Sequence, residues 1–286
     1  MKPSFPRALG LIALAAALPA WADNISYPAD AALLRPIAGF AVISFAPSGT
    51  DTFPPISDSL SGNTVTVESA DPVYVFGAIN NADSTEVGGS GAGEGNLVRI
   101  NVDLGANTYV FGGYSSGAAD VTGNRVEITG AAIEADGGHV QAGTSNANAN
   151  SVLVDGGSVW NVSGGFIGTG SGAATGNMVE IRNGAFVSGA VYGSEAGAGA
   201  TTGNSVSILD SEVVGNITGG DTYGSASATN NTVSIGGSST LGATSVIQGG
   251  SSSGDAFTGN TLKLENYTGT VGVSQVIDPA SRSMKS

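Results

Sequence analysis

The sequence contains no cysteine, one histidine and few basic residues: 9 Lys and Arg stand against 23 Asp and Glu in 286 residues. Without cysteine, disulfide bridges and thiolate metal sites are excluded. With His139 alone, the usual zinc sites and the Ser-His-Asp triad are nearly excluded as well. The formal charge of -14 also opposes binding to nucleic acid. We therefore predict no cofactor, no metal site and no nucleic-acid partner.

Long apolar segments are also scarce. The 11-residue apolar run 8–18 is preceded by Lys2 and Arg7 and followed by Ala20-Trp21-Ala22, which fits the small-x-small rule for signal cleavage. Eleven residues cannot cross about 30 Å of hydrocarbon, so we predict a cleaved signal peptide over residues 1–22 rather than a membrane anchor. Subtracting its two basic residues leaves 7 basic and 23 acidic side chains, a net charge of -16.

The sequence is rich in glycine, with 46 residues, and the dipeptide Gly-Asn recurs along it, followed by an alternating apolar pair. Some copies keep only the asparagine, which returns after 26 to 33 residues. A repeat of this period, built from short apolar runs and glycine turns, indicates a solenoid rather than a compact globule. The apolar pairs are Val65/Val67, Val98/Ile100, Val126/Ile128, Val152/Val154, Val179/Ile181, Val206/Ile208, Val233/Ile235 and Leu262/Leu264.

Within one repeat, three short runs alternate apolar and polar residues. In the copy that starts at Asn177 they centre on Val179/Ile181, on Phe186 or Val187, and on Val191. Period-two alternation is typical of strands with one side chain inside and the next outside, and no helical apolar stripe follows the signal peptide. We therefore predict an all-β fold: a right-handed parallel β-helix of about eight coils over residues 61–265, roughly 35 to 40 Å long.

The recurring asparagines are predicted to form an internal structural ladder. Asparagine tolerates turn conformations, and its amide can hydrogen-bond to an asparagine one coil above and below. Such a ladder explains why the residue recurs while its outward neighbours vary. The predicted ladder residues are Asn63, Asn96, Asn124, Asn150, Asn177, Asn204, Asn231 and Asn260.

Two segments fall outside the repeat. Residues 23–60 carry five prolines around one apolar stretch, 37–45, and are predicted to cap the open edge of the first coil. Residues 266–286 drift off the pattern and are predicted to be an irregular tail.

The acidic residues are scattered, which disfavours a catalytic site. Arg99, Arg125 and Arg182 are the only basic residues between positions 36 and 262. Arg99 and Arg125, with Glu127 and Glu180, could form an outward binding stripe, but ordinary surface charge explains them better. A carbohydrate-active β-helix enzyme, a polysaccharide lyase or hydrolase, would need carboxylates gathered in one groove.

The segment 134–139, Glu-Ala-Asp-Gly-Gly-His, gathers two acids and the only histidine. As a catalytic or metal constellation it is weak, because a metal would need further ligands from other coils. We expect a solvated turn here, and predict no catalytic residues in the chain.

The phrases GAVYGSEAGAGATTGNSVSI and YVFGGYSSGAADVTGNRVEI resemble the V-Y-G-G … A-x-G-N-x-V-x-I repeats of passenger domains of bacterial autotransporters, the type V secretion proteins. The resemblance covers about residues 61–270. It implies a non-enzymatic β-helical stalk that is exported through an outer-membrane translocator and acts in adhesion to host-cell or matrix components or glycans.

The chain departs from that family at its end, since only 22 residues follow Leu264, and a barrel translocator needs at least about eight strands. We therefore expect export by the signal peptide, with a cell-surface, outer-membrane or secreted location if a translocator is available and a periplasmic one otherwise. Two alternatives stay open: a carbohydrate-active β-helix enzyme, and a truncated remnant without independent function.

Overall fold

A computed structural model describes residues 24–27, 41–43, 60–68, 70, 74–80, 84–104, 108–253, 258–268 and 275–277. The predicted signal peptide lies outside these residues, as do nearly all of the predicted cap and tail. Over the described ranges the chain forms strands and turns only, stacked as a parallel β-solenoid. This confirms the predicted all-β parallel β-helix. In the same residues, no helix is long and apolar enough to cross a membrane.

Sheet 1 is formed by the apolar pairs that follow the asparagines. Each strand pairs in parallel with the next, so that Val126, for example, stands beside Val98 and Val152. Its nine strands are Asn24–Tyr27, Thr64–Val67, Leu97–Ile100, Arg125–Ile128, Ser151–Asp155, Met178–Arg182, Ser205–Leu209, Thr232–Gly236 and Thr261–Glu265. The predicted inward pairs are fully buried from Val65 to Ile235, whereas Leu264 in the last strand is 58% exposed.

Sheet 2 has fifteen strands, and its central ones are long because they turn a corner. Except for Ala41–Ile43, which runs antiparallel to its neighbour, all its pairings are parallel. The main path is Ala41–Ile43, Tyr74–Phe76, Tyr109–Ser115, Ala131–Val140, Ser158–Ile167, Val191–Ala196, Ile217–Thr218, Val246–Gln248 and Gln275–Ile277. Beside it lie Ile79–Asn80, Phe186–Val187, Glu212–Val213, Asp221–Thr222, Thr240–Leu241 and Ser251–Ser252.

Among the described residues, sheet 3 closes the turns with two-residue strands, and all but the first, Val87–Gly88, end two residues before a ladder asparagine. Its six strands are Val87–Gly88, Val121–Thr122, Ala147–Asn148, Ala174–Thr175, Thr201–Thr202 and Ala228–Thr229. Two expectations are corrected here. About six turns supply all three sheets in the described residues, fewer than the eight coils counted from asparagines. The runs at Val187 and Val191 belong to one sheet, and the third side was missed because its strands are too short to show alternation.

The described residues form three buried apolar clusters, and two of them lie between the sheets. Sheet 1 packs against the first half of sheet 2 in the larger cluster, where Val162 lies among the sheet 1 valines and isoleucines. The second half of sheet 2 packs against sheet 3, and Ile167 and Ala174 belong to that smaller cluster. The corner of sheet 2 between them is a Gly-Gly pair, Gly164-Gly165 in this turn, which faces the ladder residue Asn177. The corner therefore sets which residues of sheet 2 face outward.

Candidate functional site

The eight asparagines named as ladder residues stack from turn to turn. In each step, the main-chain N and the side-chain Nδ2 of one asparagine both donate to Oδ1 of the next; for Asn177 and Asn204 the distances are 2.8 and 3.0 Å. The Nδ2 group also donates across the turn to a sheet 3 carbonyl, as from Asn177 to Ala147 at 2.8 Å. All members are buried except Asn260, which is half-buried. The ladder is structural and leaves no free polar group for a ligand.

The ladder explains the Gly-Gly corner of sheet 2. A Cβ atom on Gly165 would lie 2.6 Å from the amide of Asn177, and Gly220 and Gly250 stand in the same relation to Asn231 and Asn260. Since both glycines of a pair face inward, the residues just before and just after them both face outward. The two outward side chains converge on the concave side of the corner.

Asp136 and His139 show this convergence. His139 Nδ1 lies 2.7 Å from Asp136 Oδ2, and His139 Nε2 lies 3.1 Å from Oε1 of Gln141. Asp136 is 2% exposed and His139 7% exposed within strand Ala131–Val140. The expectation of a solvated turn at residues 134–139 is therefore wrong: the Gly137-Gly138 corner keeps the segment in the sheet and turns both side chains into the same concave surface.

We call this concave surface the sheet 2 groove. Three rows of side chains line it on the side of sheet 2 that faces away from sheets 1 and 3, each in parallel register along the solenoid axis. Much of the second and third rows is buried: Phe76, Asp136 and Glu195 are 2%, 2% and 8% exposed. The first row is Tyr74, Tyr109, Glu134 and Asn161; the second, along the floor, is Phe76, Phe111, Asp136, Ser163, Tyr192 and Thr218; the third is Ile79, Tyr114, His139, Phe166, Glu195 and Asp221.

One end of the groove is aromatic. The Tyr74 and Tyr109 rings stack at 5.3 Å, and Phe76 stacks on Phe111 at 5.1 Å. The imidazole of His139 continues a stack with Tyr114 at 5.0 Å. On its other face His139 stacks on Phe166 at 4.6 Å, which carries the aromatic row to the middle of the groove. Offset and edge-on ring pairs at such distances are favourable and hold the surface rigid.

The other end of the groove is acidic. Burial raises the pKa of Glu195 to about 7, and repulsion from Asp136, Asp221 and Glu134 adds to this, against a lowering by a hydrogen bond from Tyr223. Burial raises the pKa of Glu134 to about 7 as well, with a further contribution from Asp136 and an opposing one from His139. Several carboxyl groups therefore share one poorly hydrated surface. Some of these carboxyl groups are protonated, and hence neutral, near pH 7.

The other titratable groups of the groove follow the same physics. Burial raises the pKa values of Asp136 and Asp221, partly offset by hydrogen bonds from His139 and from Ser251 respectively. Burial and the charge of Glu195 raise the pKa of Tyr192 to about 12 and also raise that of Tyr223. Both phenols therefore remain hydrogen-bond donors at any physiological pH.

The lysine and arginine side chains lie elsewhere. In the part of the chain that the structure describes, all four, Arg99, Arg125, Arg182 and Lys263, lie on sheet 1. Arg99 and Arg125 both contact Glu127, with Nε to carboxylate distances of 2.9 and 2.8 Å. The basic positions that could have formed a binding stripe are thus engaged with acids of the same face.

Arg182 is similarly engaged. It contacts Asp155 at 2.9 Å and Glu180 at 2.8 Å, and hydrogen bonds from the amide of Asn183 and from the Arg182 guanidinium lower the pKa of the Asp155 carboxyl. The two outer faces therefore differ in electrostatics: the three arginines of sheet 1 contact carboxylates, whereas in the sheet 2 groove His139, beside Asp136, is the one basic side chain among the described residues.

Over the same described ranges, no group of three or more His, Cys, Asp or Glu side chains is arranged to hold a metal ion. Comparison with protein-family models, with curated proteins and with solved structures found no match for this chain.

Sequence reasoning singled out Glu134, Asp136 and His139 but missed their partners Glu195 and Asp221. These five residues come from three separate turns, and only the parallel register joins His139 through Phe166 to Glu195 and then Asp221. A signal was present in the recurring corner, which is Gly-Gly in most turns and Gly193-Ser194 before Glu195, because aligning the repeats on it places His139, Glu195 and Asp221 in one row.

Proposed function

We propose that this protein is an autotransporter-like β-helical passenger that acts without catalysis, by binding an extended surface ligand along the sheet 2 groove. The observation that supports this is the groove itself: aromatic and carboxylate side chains in register rows along the solenoid axis. The Gly-Asn repeat that resembles autotransporter passengers agrees with a stalk built to present such a surface. Host-cell or matrix components and glycans are the ligands that adhesion would require.

Rigidity makes the groove suited to binding. Each outward side chain of the groove is anchored on a parallel strand, and the aromatic rows are stacked from turn to turn. A surface that is already ordered loses little side-chain entropy when a ligand docks, so more of the contact energy appears as affinity. Tyrosine adds an apolar ring with a hydroxyl that can reach a polar ligand group.

The location follows from the same proposal. The charged and apolar start of the sequence supports export across the inner membrane. Display on the cell surface would then need a translocator, and without one the protein would stay in the periplasm.

A binding screen tests the proposal. The purified protein is measured against immobilised matrix proteins and glycans, and each positive ligand is measured again with Tyr192→Ala and with Trp160→Ala. Trp160 is 52% exposed on the outer side of sheet 2 but outside the three groove rows, so it controls for loss of a surface aromatic. We expect about tenfold weaker binding for Tyr192→Ala, which corresponds to about 1.4 kcal/mol, and no change for Trp160→Ala. Loss of binding in Trp160→Ala alone would move the site away from the groove.

A second candidate, a carbohydrate-active enzyme, is favoured by the grouping of carboxyl groups in the groove. Asp136 and Glu195 lie two turns apart, about 10 Å along the axis. Inverting glycosidases hold their two carboxyl groups about 6.5 to 9.5 Å apart, slightly closer than this spacing, and raise the pKa of the acid. Release of reducing ends from neutral polysaccharides, abolished by Glu195→Gln, would establish this activity. No release over a prolonged incubation with wild-type protein would exclude it for those substrates.

A further inference from the structure

We propose that the ligand of the sheet 2 groove is an extended peptide segment that contains arginine. The inference rests on the proposed binding function and names the partner chemistry of the same groove. It is carried by three features of the groove: its unbalanced negative charge, the aromatic side chains interleaved with its carboxylates, and its length.

Charge complementarity is the first feature. Glu134, Asp136, Glu195 and Asp221 share the groove, and Glu195 is repelled by the other three. The arginines of the described chain lie on sheet 1, where each contacts a carboxylate. Among the described residues, His139 is the one basic side chain of the groove, and it lies against Asp136. Glu134, Glu195 and Asp221 have no Lys or Arg beside them there, so a cation brought by a ligand gains attraction from several carboxylates at once.

The aromatic side chains indicate which cationic side chain the groove would bind. Tyr192 stands on the floor in register with Ser163, and Phe166 pairs with Glu195 on the adjacent row. A guanidinium group pairs with a carboxylate through two parallel hydrogen bonds and stacks on an aromatic face, whereas a lysine ammonium is a compact, strongly hydrated charge. A surface in which rings and carboxylates are neighbours fits arginine better than lysine.

The length of the acidic part sets the size of the ligand. It runs from Glu134 to Asp221 over four successive strands of sheet 2. Three steps of about 4.8 Å span about 14 Å, which an extended peptide covers with about four residues at 3.3 Å each. The floor strands are already paired on both sides, so the peptide binds through its side chains and not by adding a strand to the sheet.

Proton release accompanies binding in this arrangement. Burial raises the pKa values of Glu134 and Glu195 to about 7, so both are largely neutral at pH 5.5 and largely ionised at pH 8. A cation binds the ionised form, and affinity should therefore increase as the pH rises through 7. The charge-based part of the affinity should also weaken as salt is added.

The test uses the full chain and fluorescently labelled six-residue peptides that alternate Arg and Ser, with citrulline or lysine replacing arginine in the two control peptides. Citrulline keeps the shape of the side chain without its charge. Binding is followed by fluorescence anisotropy. We expect the arginine peptide to bind about tenfold more tightly than the lysine peptide and more tightly still than the citrulline peptide, at about 1.4 kcal/mol per factor of ten.

Paired variants locate the site. Glu195→Gln combined with Asp221→Asn removes two groove charges; Glu127→Gln combined with Glu180→Gln removes two charges from sheet 1 and is the control for net charge. We expect the groove variant to bind the arginine peptide at least about tenfold more weakly and the sheet 1 variant within about twofold of wild type. Circular dichroism of each variant checks that it is folded.

Three results would overturn the inference: equal affinity for arginine and lysine peptides, equal loss in both double variants, or affinity that does not change from pH 5.5 to 8. If none of the peptides binds but a glycan does, in a manner that Tyr192→Ala weakens, the arginine ligand is excluded while the binding function of the groove stands. If every groove variant binds each ligand of the wild-type protein with unchanged affinity, the binding function of the groove is itself contradicted.

Discussion

Asn204 donates two hydrogen bonds to one oxygen of Asn231, from its main-chain N and from Nδ2, both at 2.9 Å. Its own Oδ1 accepts the same pair of bonds from Asn177. Each ladder amide therefore hydrogen-bonds both to a backbone carbonyl at the end of sheet 3 and to the asparagine side chain of the next turn. The two apolar clusters that lie between the sheets are held apart by this polar column, and the Gly-Gly corner that shapes the groove packs directly on it.

Replacing Asn204 by alanine should destabilise the fold strongly. It removes the one oxygen, Asn204 Oδ1, that accepts from both Asn177 N and Asn177 Nδ2, and it removes the Nδ2 group that donates to the Ala174 carbonyl. Buried groups that lose a partner cost about 1 to 3 kcal/mol each, so we expect a loss of about 3 kcal/mol in the free energy of unfolding measured by denaturant melts. Ser205→Ala, one residue away and facing outward, should change it by less than about 0.5 kcal/mol. Equal effects would mean that the ladder adds nothing to stability.

At Gly165 the corner should not tolerate a side chain beside the locked amide of Asn177, although the position in register in the next turn holds Ser194. In Gly165→Ala the new Cβ would lie 2.6 Å from Asn177, which is held by its ladder bonds and cannot move away. Overpacking of this kind costs about 1 to 3 kcal/mol. Gly91→Ala is the matched control, because its Cβ would meet only the flexible end of Glu94 at 3.4 Å. Thermal melts in which both variants unfold like wild type would contradict the close approach of corner and ladder.

One substitution should stabilise the protein. The Oγ1 atom of Thr201 is buried inside the solenoid without a hydrogen-bond partner, at a sheet 3 position where the neighbouring turns carry Ala174 and Ala228. Valine has nearly the same shape without the hydroxyl, so Thr201→Val should raise the free energy of unfolding by about 1 kcal/mol or more. Thr202→Val removes a partly exposed hydroxyl that contacts Thr229 at 3.3 Å and should not stabilise. A destabilised Thr201→Val variant would show that the hydroxyl is paired in solution.

Stability should fall as the pH rises from about 4.5 to 7. The pKa of Glu195 is raised to about 7 by burial, so in that window the folded state holds a proton that the unfolded chain releases. At about 1.4 kcal/mol for each tenfold change in proton affinity, this one group destabilises the ionised fold by up to about 3 kcal/mol. Glu195→Gln should unfold at higher denaturant than wild type at pH 8, with little difference at pH 4.5. Glu212→Gln, at an exposed carboxylate of sheet 2, is the control and should follow wild type across the range.

The sequence predicted the periodic part of this structure well. The inward pairs of sheet 1, such as Val179 and Ile181, obey strict alternation, and the asparagine before each pair marks the repeat. These features depend only on neighbouring residues and on the period. Sheet 3 was missed because a strand such as Ala174–Thr175 has two small residues and no alternation to detect.

The groove could not be predicted by the same reasoning. Alternation places Asp136 and His139, three residues apart, on opposite faces, but two inward glycines between them bring both to one face. The further acids come from turns that lie 27 or more residues away in sequence, and their approach depends on the register of each turn. Composition had suggested scattered charge, whereas stacking gathers Glu195 with Asp136 and separates both from the arginines.

The most direct test of the groove is the titration of the Glu195 side chain, followed by its ¹³C carboxyl resonance in an NMR experiment and assigned with Glu195→Gln. The resonance should titrate with a pKa of about 7, and saturation with the arginine peptide should lower that pKa because a bound cation stabilises the ionised form. If Glu195 instead titrates below pH 5 and does not respond to any ligand of the protein, the carboxyl group is solvated, and the groove does not exist as described.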